Sequence, residues 1–418
     1  MPRYFLTCRF LLPIALGSAL NALAADWPQF LGPNRDGVSA ETNLNFDWGA
    51  DGPPKLWQRP VGHGFSGPTI SGGKLLLFHR LGDREIVERL DAASGATVWK
   101  HDYATDYRDD FGFDDGPRAS PTIAAGKVFV YGAEGGLHCL ALADGHALWD
   151  VDCKADFGSA KGFFGRACSP LVEEGRVILN VGGTGGNGIV AFNSDTGKTV
   201  WRATDDEASY SSPVVATIGV KPYGFVFTRA GLTALDPVTG KVYFQFPWRS
   251  PMNASVNAAT PLVINDTVFL SASYDTGAIL LRVKDGRPAK IWSAEDALSN
   301  HYATSVYSDG FFYGFNGRQE MGQTFNCVDA KTGKVVWSQD GLGAGTVIVA
   351  GGRLLILTEK GELIAAEASP QAFKTIGRFQ ALPFQVRAPA ALSDGLFCAR
   401  SKDQLLCLDL RRKKTTPP

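Results

Sequence analysis

The sequence lacks an excess of charge of either sign: 41 Lys and Arg stand against 42 Asp and Glu in 418 residues. A nucleic-acid binder neutralises phosphates with surplus cations, so that class of partner is not expected. Cysteine is scarce, seven in all with no C-x-x-C spacing, which argues against thiolate metal sites. Beyond the first apolar stretch, no run is long enough to span a bilayer. With 44% apolar and 20% charged residues, disorder and collagen-like structure are excluded as well.

Turn formers and aromatics are plentiful: 48 Gly, 23 Pro, 26 Phe, 11 Tyr and 9 Trp. Such a composition favours short pleated strands separated by tight turns, and hence an all-β fold. The first 24 residues read as an address. Arg3 and Arg9 precede an apolar run from Phe10 to Leu20, and Ala22-Leu23-Ala24 offers small residues for a signal peptidase. The expectation is a Sec-type signal peptide over 1–24 and a periplasmic or secreted product; the alternative is an uncleaved anchor. Cys8 lies ahead of the apolar run, so it does not form a lipid-attachment site.

Internal repeats decide the architecture. The nine residues Asp91 to Trp99 recur as Asn193 to Trp201, Asp236 to Phe244 and Asp329 to Trp337, with a weaker copy at Ala141 to Trp149. Asp or Asn caps a turn, Gly accepts positive φ, and β-branched and aromatic residues open an outer strand. Upstream of each copy, a small residue and Pro open another strand, as in Gly67-Pro68, Ser120-Pro121, Ser169-Pro170, Ser212-Pro213 and Thr260-Pro261. Segments at Thr304, Thr346 and Ala388 extend the series to eight. Units of about 44 residues with four short strands each describe propeller blades. The last unit lacks its outer strand, and Lys55-Leu56-Trp57-Gln58 supplies it. The expected architecture is therefore an eight-bladed β-propeller over 55–411, closed between the chain ends, with an extended N-terminal strap over 25–54 and a tail over 412–418. The blade-end aromatics, Trp57, Trp99, Trp149, Trp201, Phe244, Trp292 and Trp337, are read as inter-blade packing.

The Asp-x-x-Thr-Gly-Lys-x-x-Trp pattern, complete at Asp329 to Trp337, resembles the tryptophan-docking repeat of pyrroloquinoline quinone (PQQ)-type propellers. The opening Asp26-Trp27-Pro28-Gln29-Phe30-Leu31-Gly32-Pro33-Asn34-Arg35-Asp36-Gly37 is similar to the start of exported PQQ-binding-like propellers. Two branches bracket what the resemblance implies: quinoprotein alcohol dehydrogenases, and the propeller scaffold of the outer-membrane β-barrel assembly machinery, which has no cofactor. The chain departs from both. It lacks an adjacent Cys-Cys pair and the insertions that complete the quinone and calcium sites, and it lacks the scaffold's lipid-attachment cysteine.

Candidate sites follow from position. Residues just before each Pro-led strand converge on one mouth of the axial channel, which nominates His63, Arg118, Arg166, Tyr210, Asn257, His301, Tyr302 and Arg387. Three arginines around one axis favour an anion; the resemblance adds that PQQ lies over this mouth in the dehydrogenases. The competing reading pairs these side chains with loop carbonyls and with the Asp-rich segment His101 to Arg118, itself read as a solvated loop without a Ca²⁺-loop pattern. Gly183 to Gly188 satisfies G-x-G-x-x-G, but a strand follows it instead of a helix, so it reads as a hairpin loop. Cys139, Cys327 and Cys407 occupy an Ala-or-Cys core position; Cys398 with Cys407, or Cys153 with Cys168, could pair in an oxidising compartment.

The leading expectation is a monomeric binding or interaction scaffold with an anion-favouring funnel. It requires no cofactor, and its partner is a protein or a small anionic or carbohydrate ligand. The alternatives are a quinoprotein-type oxidoreductase using PQQ with Ca²⁺ on an alcohol or sugar, and a cofactor-free carbohydrate-processing enzyme using Tyr210, His301 and Arg387.

Overall fold

The computed structural model describes residues 26–412, so the expected signal peptide and residues 413–418 of the tail lie outside the described residues. Eight antiparallel sheets follow one another along the chain as blades: 69–104, 122–152, 171–203, 214–247, 262–294, 306–339, 345–380 and 391–409. The eighth blade takes Lys55–Pro60 as its fourth strand, with Trp57 opposite Cys407. The ring thus closes through the segment the sequence nominated, and no described helix is long and apolar enough to cross a membrane.

A blade is too thin to bury both of its faces, so the fold depends on what passes between blades. The repeat tryptophans do this work. Each ring lies on the turn of the following blade and its indole N–H donates to a carbonyl there: Trp57 to Ala92 (2.9 Å), Trp99 to Leu142 (3.1 Å), Trp149 to Ser194 (3.2 Å), Trp201 to Pro237 (3.2 Å) and Trp292 to Ala330 (2.9 Å). The turn glycine is required twice over. Gly95 has φ +71°, and a Cβ on it would stand 2.6 Å from the Trp57 ring.

Blade 7 breaks the pattern in an informative way. Gly377, opposite Ala365, holds the position that an aromatic ring holds in the other blades, as Trp201 does opposite Ala191 and Phe244 does opposite Ala234. The strap fills the vacancy: Trp48 packs on Gly377, where an added Cβ would meet its ring at 3.0 Å, and its N–H donates to Asn45 O at 2.7 Å. Trp48 and Phe46 then join the largest core cluster, which runs across blades 7, 8 and 1.

The small-residue-Pro motif has its reason at the axis. The amide of Gly67 donates to Ser120 Oγ (3.1 Å), that of Ser120 to Ser169 Oγ (2.9 Å), that of Ser169 to Ser212 Oγ (2.9 Å) and that of Thr260 to Thr304 Oγ1 (3.0 Å). Each hydroxyl thus satisfies a buried donor of the preceding blade and ties neighbours together around the channel.

The strap was expected over the ring, but residues 26–39 enter the channel itself. Trp27 exchanges two 2.8 Å hydrogen bonds with Ile70, Pro28 accepts from Ile123 at 2.8 Å, and Val38–Ser39 runs parallel to the innermost strand of blade 7. Arg35, 2% exposed, donates to Gln29 Oε1 (2.8 Å) and to the carbonyls of Ser169 (3.2 Å), Pro213 (3.0 Å) and Pro170. Burial lowers its pKa to about 10, so it remains a cation at neutral pH, held by carbonyl dipoles from blades 3 and 4.

The closing seam carries a buried carboxylate. Glu88 of blade 1 receives Arg59 from the closing strand at 3.0 Å, and His79, Thr97 and Lys100 as well. Burial pushes its pKa up, but these four partners outweigh burial and bring it down to about 2.

Two outcomes are expected. Trp48→Ala should cost about 3 kcal/mol in urea unfolding, whereas Val98→Ala, on an outer face 51% exposed, should stay within about 0.5 kcal/mol. Because the folded-state pKa of Glu88 is depressed, its stabilisation is full above its ordinary value of 4.5 and fades as pH falls toward about 2. Stability measured across that window should drop less steeply in Glu88→Gln than in the parent.

Candidate functional site

The loops that lead from the outer strand of one blade to the inner strand of the next gather at one mouth of the ring. They enclose a cavity of about 200 Å³. Its walls carry Phe65, Phe113, Phe164, Tyr210, Tyr274, His301 and Tyr302, its polar groups are Arg118, Gln319, Glu320 and Arg387, and Phe30 of the strap also faces it.

Five of the eight nominated residues therefore share one cavity: Arg118, Tyr210, His301, Tyr302 and Arg387. Arg166 turns elsewhere, 3% exposed, donating to Glu134 O (2.6 Å) and Ser159 Oγ (3.2 Å). Asn257 is spent on the backbone: its side-chain amide donates to Thr228 O at 2.9 Å, and its backbone carbonyl accepts from Tyr210 N at 3.0 Å. His63 lines an adjacent cleft, with Nδ1 3.5 Å from Asp114 Oδ2. The positional rule found residues at the loop ends, but side-chain direction decided which ones meet. It missed Tyr274, Gln319 and Glu320, because these sit on loops between the second and third strands of blades 5 and 6. It missed Phe30 because the strap enters the channel.

The two arginines of the cavity are already paired. Arg118 donates to Gly116 O (2.8 Å) and Asp114 O (2.9 Å), and stands 3.5 Å from Asp109 Oδ2. Arg387 Nε donates to Glu359 Oε1 at 2.8 Å, and Gln319 reaches both oxygens of Glu359 at 2.6 Å. The guanidinium of Arg387 also lies over Phe65 and Phe113, at 5.4 and 5.1 Å from the ring centres. The Asp-rich loop is less solvated than its composition implied. Asp102, Asp106 and Asp110 face water, but Asp109 and Asp114 are buried, and Asp109 accepts from the amides of Phe111 (3.3 Å), Phe113 (2.8 Å) and Asp114 (3.1 Å). These bonds shape the loop that brings Phe113 to the cavity.

The titratable groups are set for hydrogen bonding. Burial lowers the His301 pKa, so the ring is neutral at pH 7. Its Nδ1 accepts from Gln319 N at 3.3 Å, which assigns the proton to Nε2, 2.9 Å from Tyr274 Oη. Tyr210 and Tyr302 are both raised by burial and stay protonated; the Tyr302 hydroxyl is buried without a partner.

Other motifs resolve as structure. The glycine-rich segment is the loop between Arg176–Asn180 and Ile189–Asn193, without a following helix. All six described cysteines are buried free thiols, and Cys398 faces Cys407 across the hairpin as its centre at Lys402-Asp403 implied. Burial raises Cys139 to about 12 and Cys168 to about 11, which leaves them unreactive. No group of three or more His, Cys, Asp or Glu able to hold a metal ion occurs among the described residues, and the cavity arginines face Asp109 and Glu359.

Tyr302→Phe removes a buried hydroxyl that satisfies nothing, so stability in urea should be unchanged or higher by up to about 1 kcal/mol. A loss larger than that would mean the hydroxyl has a partner.

The family described as outer membrane protein assembly factor BamB matches residues 83–339 and 321–411. The chain is similar to the quinohemoprotein alcohol dehydrogenase ADH-IIG of Pseudomonas putida, 32% identical over 139 residues, covering 32% of this chain and 18% of that one. It is also similar to BamB of Shewanella oneidensis, 26% identical over 276 residues, covering 61% and 65%. It thus spans less than two thirds of either relative. Among solved structures, BamB from Moraxella catarrhalis aligns over 87% of this chain and 99% of its own, with a TM-score of 0.61 and 15% identity. The quinohemoprotein alcohol dehydrogenase from Comamonas testosteroni aligns over 94% and 82%, with a TM-score of 0.66 and 14% identity. At those identities the structural likeness establishes the fold alone. The matched span covers most of the sequence, and on that ground the chain is a PQQ-like β-propeller that belongs to the outer membrane protein assembly factor BamB family.

Proposed function

We propose that this protein is an exported, periplasmic interaction scaffold whose ligand or protein partner seats at the aromatic mouth of the propeller. The observation that carries this reading is the cavity itself. Its walls are rings, its two arginines are each matched by a carboxylate, and its phenols and imidazole are held in neutral, hydrogen-bonding forms. Such a site offers stacking surfaces and fixed donors, which suit recognition, and it assembles neither a deprotonated nucleophile nor a metal donor set. The family supports the same direction, since its description is that of an assembly factor. Export rests on the charged and apolar leader at the start of the sequence.

The balance of charge modifies the anion-favouring funnel expected from three arginines. With Arg118 and Arg387 paired, the cavity favours a mostly apolar group that carries a hydrogen-bond acceptor over a bare polyanion. One specific observation favours a second reading, because Tyr210, His301 and Arg387, the trio of the carbohydrate-processing alternative, do line one cavity.

The deciding experiment adds PQQ and Ca²⁺ to purified protein and follows the quinone spectrum and dye reduction with alcohols and sugars, beside a product screen on oligosaccharides. No bound-quinone spectrum, no dye reduction and no product are expected. Turnover in either arm overturns the scaffold reading.

A further inference from the structure

The mouth has a second compartment. Beside the aromatic cavity lies a cleft of about 370 Å³, lined by His63, Arg80, Arg108, Asp114, Asp115 and Lys402, and Phe113 stands in the wall of both. The two spaces differ sharply in chemistry. In the cleft, Arg80, Arg108 and Lys402 face Asp114 and Asp115, and Arg400, buried nearby, feels the charges of both Asp114 and Asp403. Asp115 has only a loose hold on Arg108, at 3.9 Å, and Arg108 is 62% exposed. The side chains that line the cleft therefore carry one more positive than negative charge. Glu320 stands in the wall of the aromatic cavity, and Glu359 behind it is held by Gln319 and Arg387.

The surface around both compartments is unusually apolar for solvent-facing loops. Phe111 and Phe384 are 55% and 66% exposed, Met321 is 79% exposed, and all three belong to the loops that build the cavity. Phe111 continues the ring stack inward, 5.1 Å from Phe164, which is in turn 5.7 Å from Tyr210. A small ligand held in the cavity would leave this rim uncovered, whereas a chain passing across the mouth would bury it.

We infer that the mouth takes an extended segment of a partner protein in which an aromatic residue is followed closely by acidic ones. The aromatic side chain anchors in the Phe65–Phe113–Tyr210 cavity, and the acidic residues turn over Phe113 toward Arg108 and Lys402, away from Glu320. This inference rests on the scaffold reading and deepens it: buried rings supply affinity and the cleft supplies direction.

The test uses fluorescence anisotropy with the full exported chain and labelled, end-blocked Gly-Ser peptides that contain Phe-Asp-Asp, Phe-Lys-Lys or Ala-Asp-Asp. The Phe-Asp-Asp peptide should bind roughly tenfold more tightly than either of the others, a difference of about 1.4 kcal/mol, and should weaken as salt is raised. The double variant Arg108→Glu/Lys402→Glu should reverse the preference between the two Phe peptides while keeping the parent's unfolding midpoint to within the effect of two surface changes. Equal binding of the three peptides, or none at millimolar concentration, overturns the inference, as does an unchanged preference in the double variant. Displacement by inorganic phosphate as effective as by the unlabelled peptide would mean a small-anion site, and self-association at the mouth seen in sedimentation would mean a second copy; either overturns it too. Each of these failures leaves the quinone and oligosaccharide results untouched, so the two readings can fail separately.

Discussion

Tryptophan docking is the interaction on which the rest of the molecule depends. A four-stranded blade has two apolar faces and no thickness in which to bury them, so a single blade has nothing to fold around. Each repeat tryptophan covers a neighbour's turn and gives its indole N–H to a carbonyl there, which ties one marginal sheet to the next. Because every blade needs its successor, the ring must close. Closure brings Lys55–Pro60 to the last sheet and sets Glu88 between Arg59 and Lys100 at the seam. The exception confirms the rule physically: where the chain carries Gly377 in place of the ring, the strap delivers Trp48 to the same spot.

The same closure creates the site. Eight inner strands leave a channel along the axis, and a channel is a liability unless it is filled. Residues 26–39 fill it from one end, with Arg35 satisfied by carbonyls of two blades, while Phe30 of that segment faces the cavity at the mouth. The inter-blade loops supply the walls. The funnel is thus a product of three separate parts of the chain: the strap, the loop ends before each inner strand, and the hairpins bearing Tyr274 and Gln319. Burial keeps the imidazole and phenols neutral, and carboxylates from adjoining loops absorb the charge of the arginines.

Much of this was legible in the residues. The nine-residue repeats, the Pro-led strands and the homeless outer strand at Lys55 gave blade number and closure, because repeat period and turn chemistry are local properties that the chain writes in order. The hairpin reading of Gly183–Gly188 and the facing of Cys398 and Cys407 followed from the same local rules. The site was legible only in outline. Spacing placed Arg118, Arg166 and Arg387 at equivalent loop ends, yet Arg166 points into Glu134 and Ser159 while the other two reach the mouth, since rotamer and hydrogen-bond partner are set by neighbours distant in sequence.

The sequence by itself determined the all-β class, the eight units, the ring closure and the inter-blade role of the tryptophans, for all of these are fixed by period, turn residues and aromatic spacing within one unit. Tertiary structure alone decided that the strap enters the axis, that Trp48 replaces a missing blade tryptophan, and that the aromatic cavity and the cationic cleft share Phe113. Each of these joins residues that are far apart along the chain, and only packing around a closed ring brings them within reach.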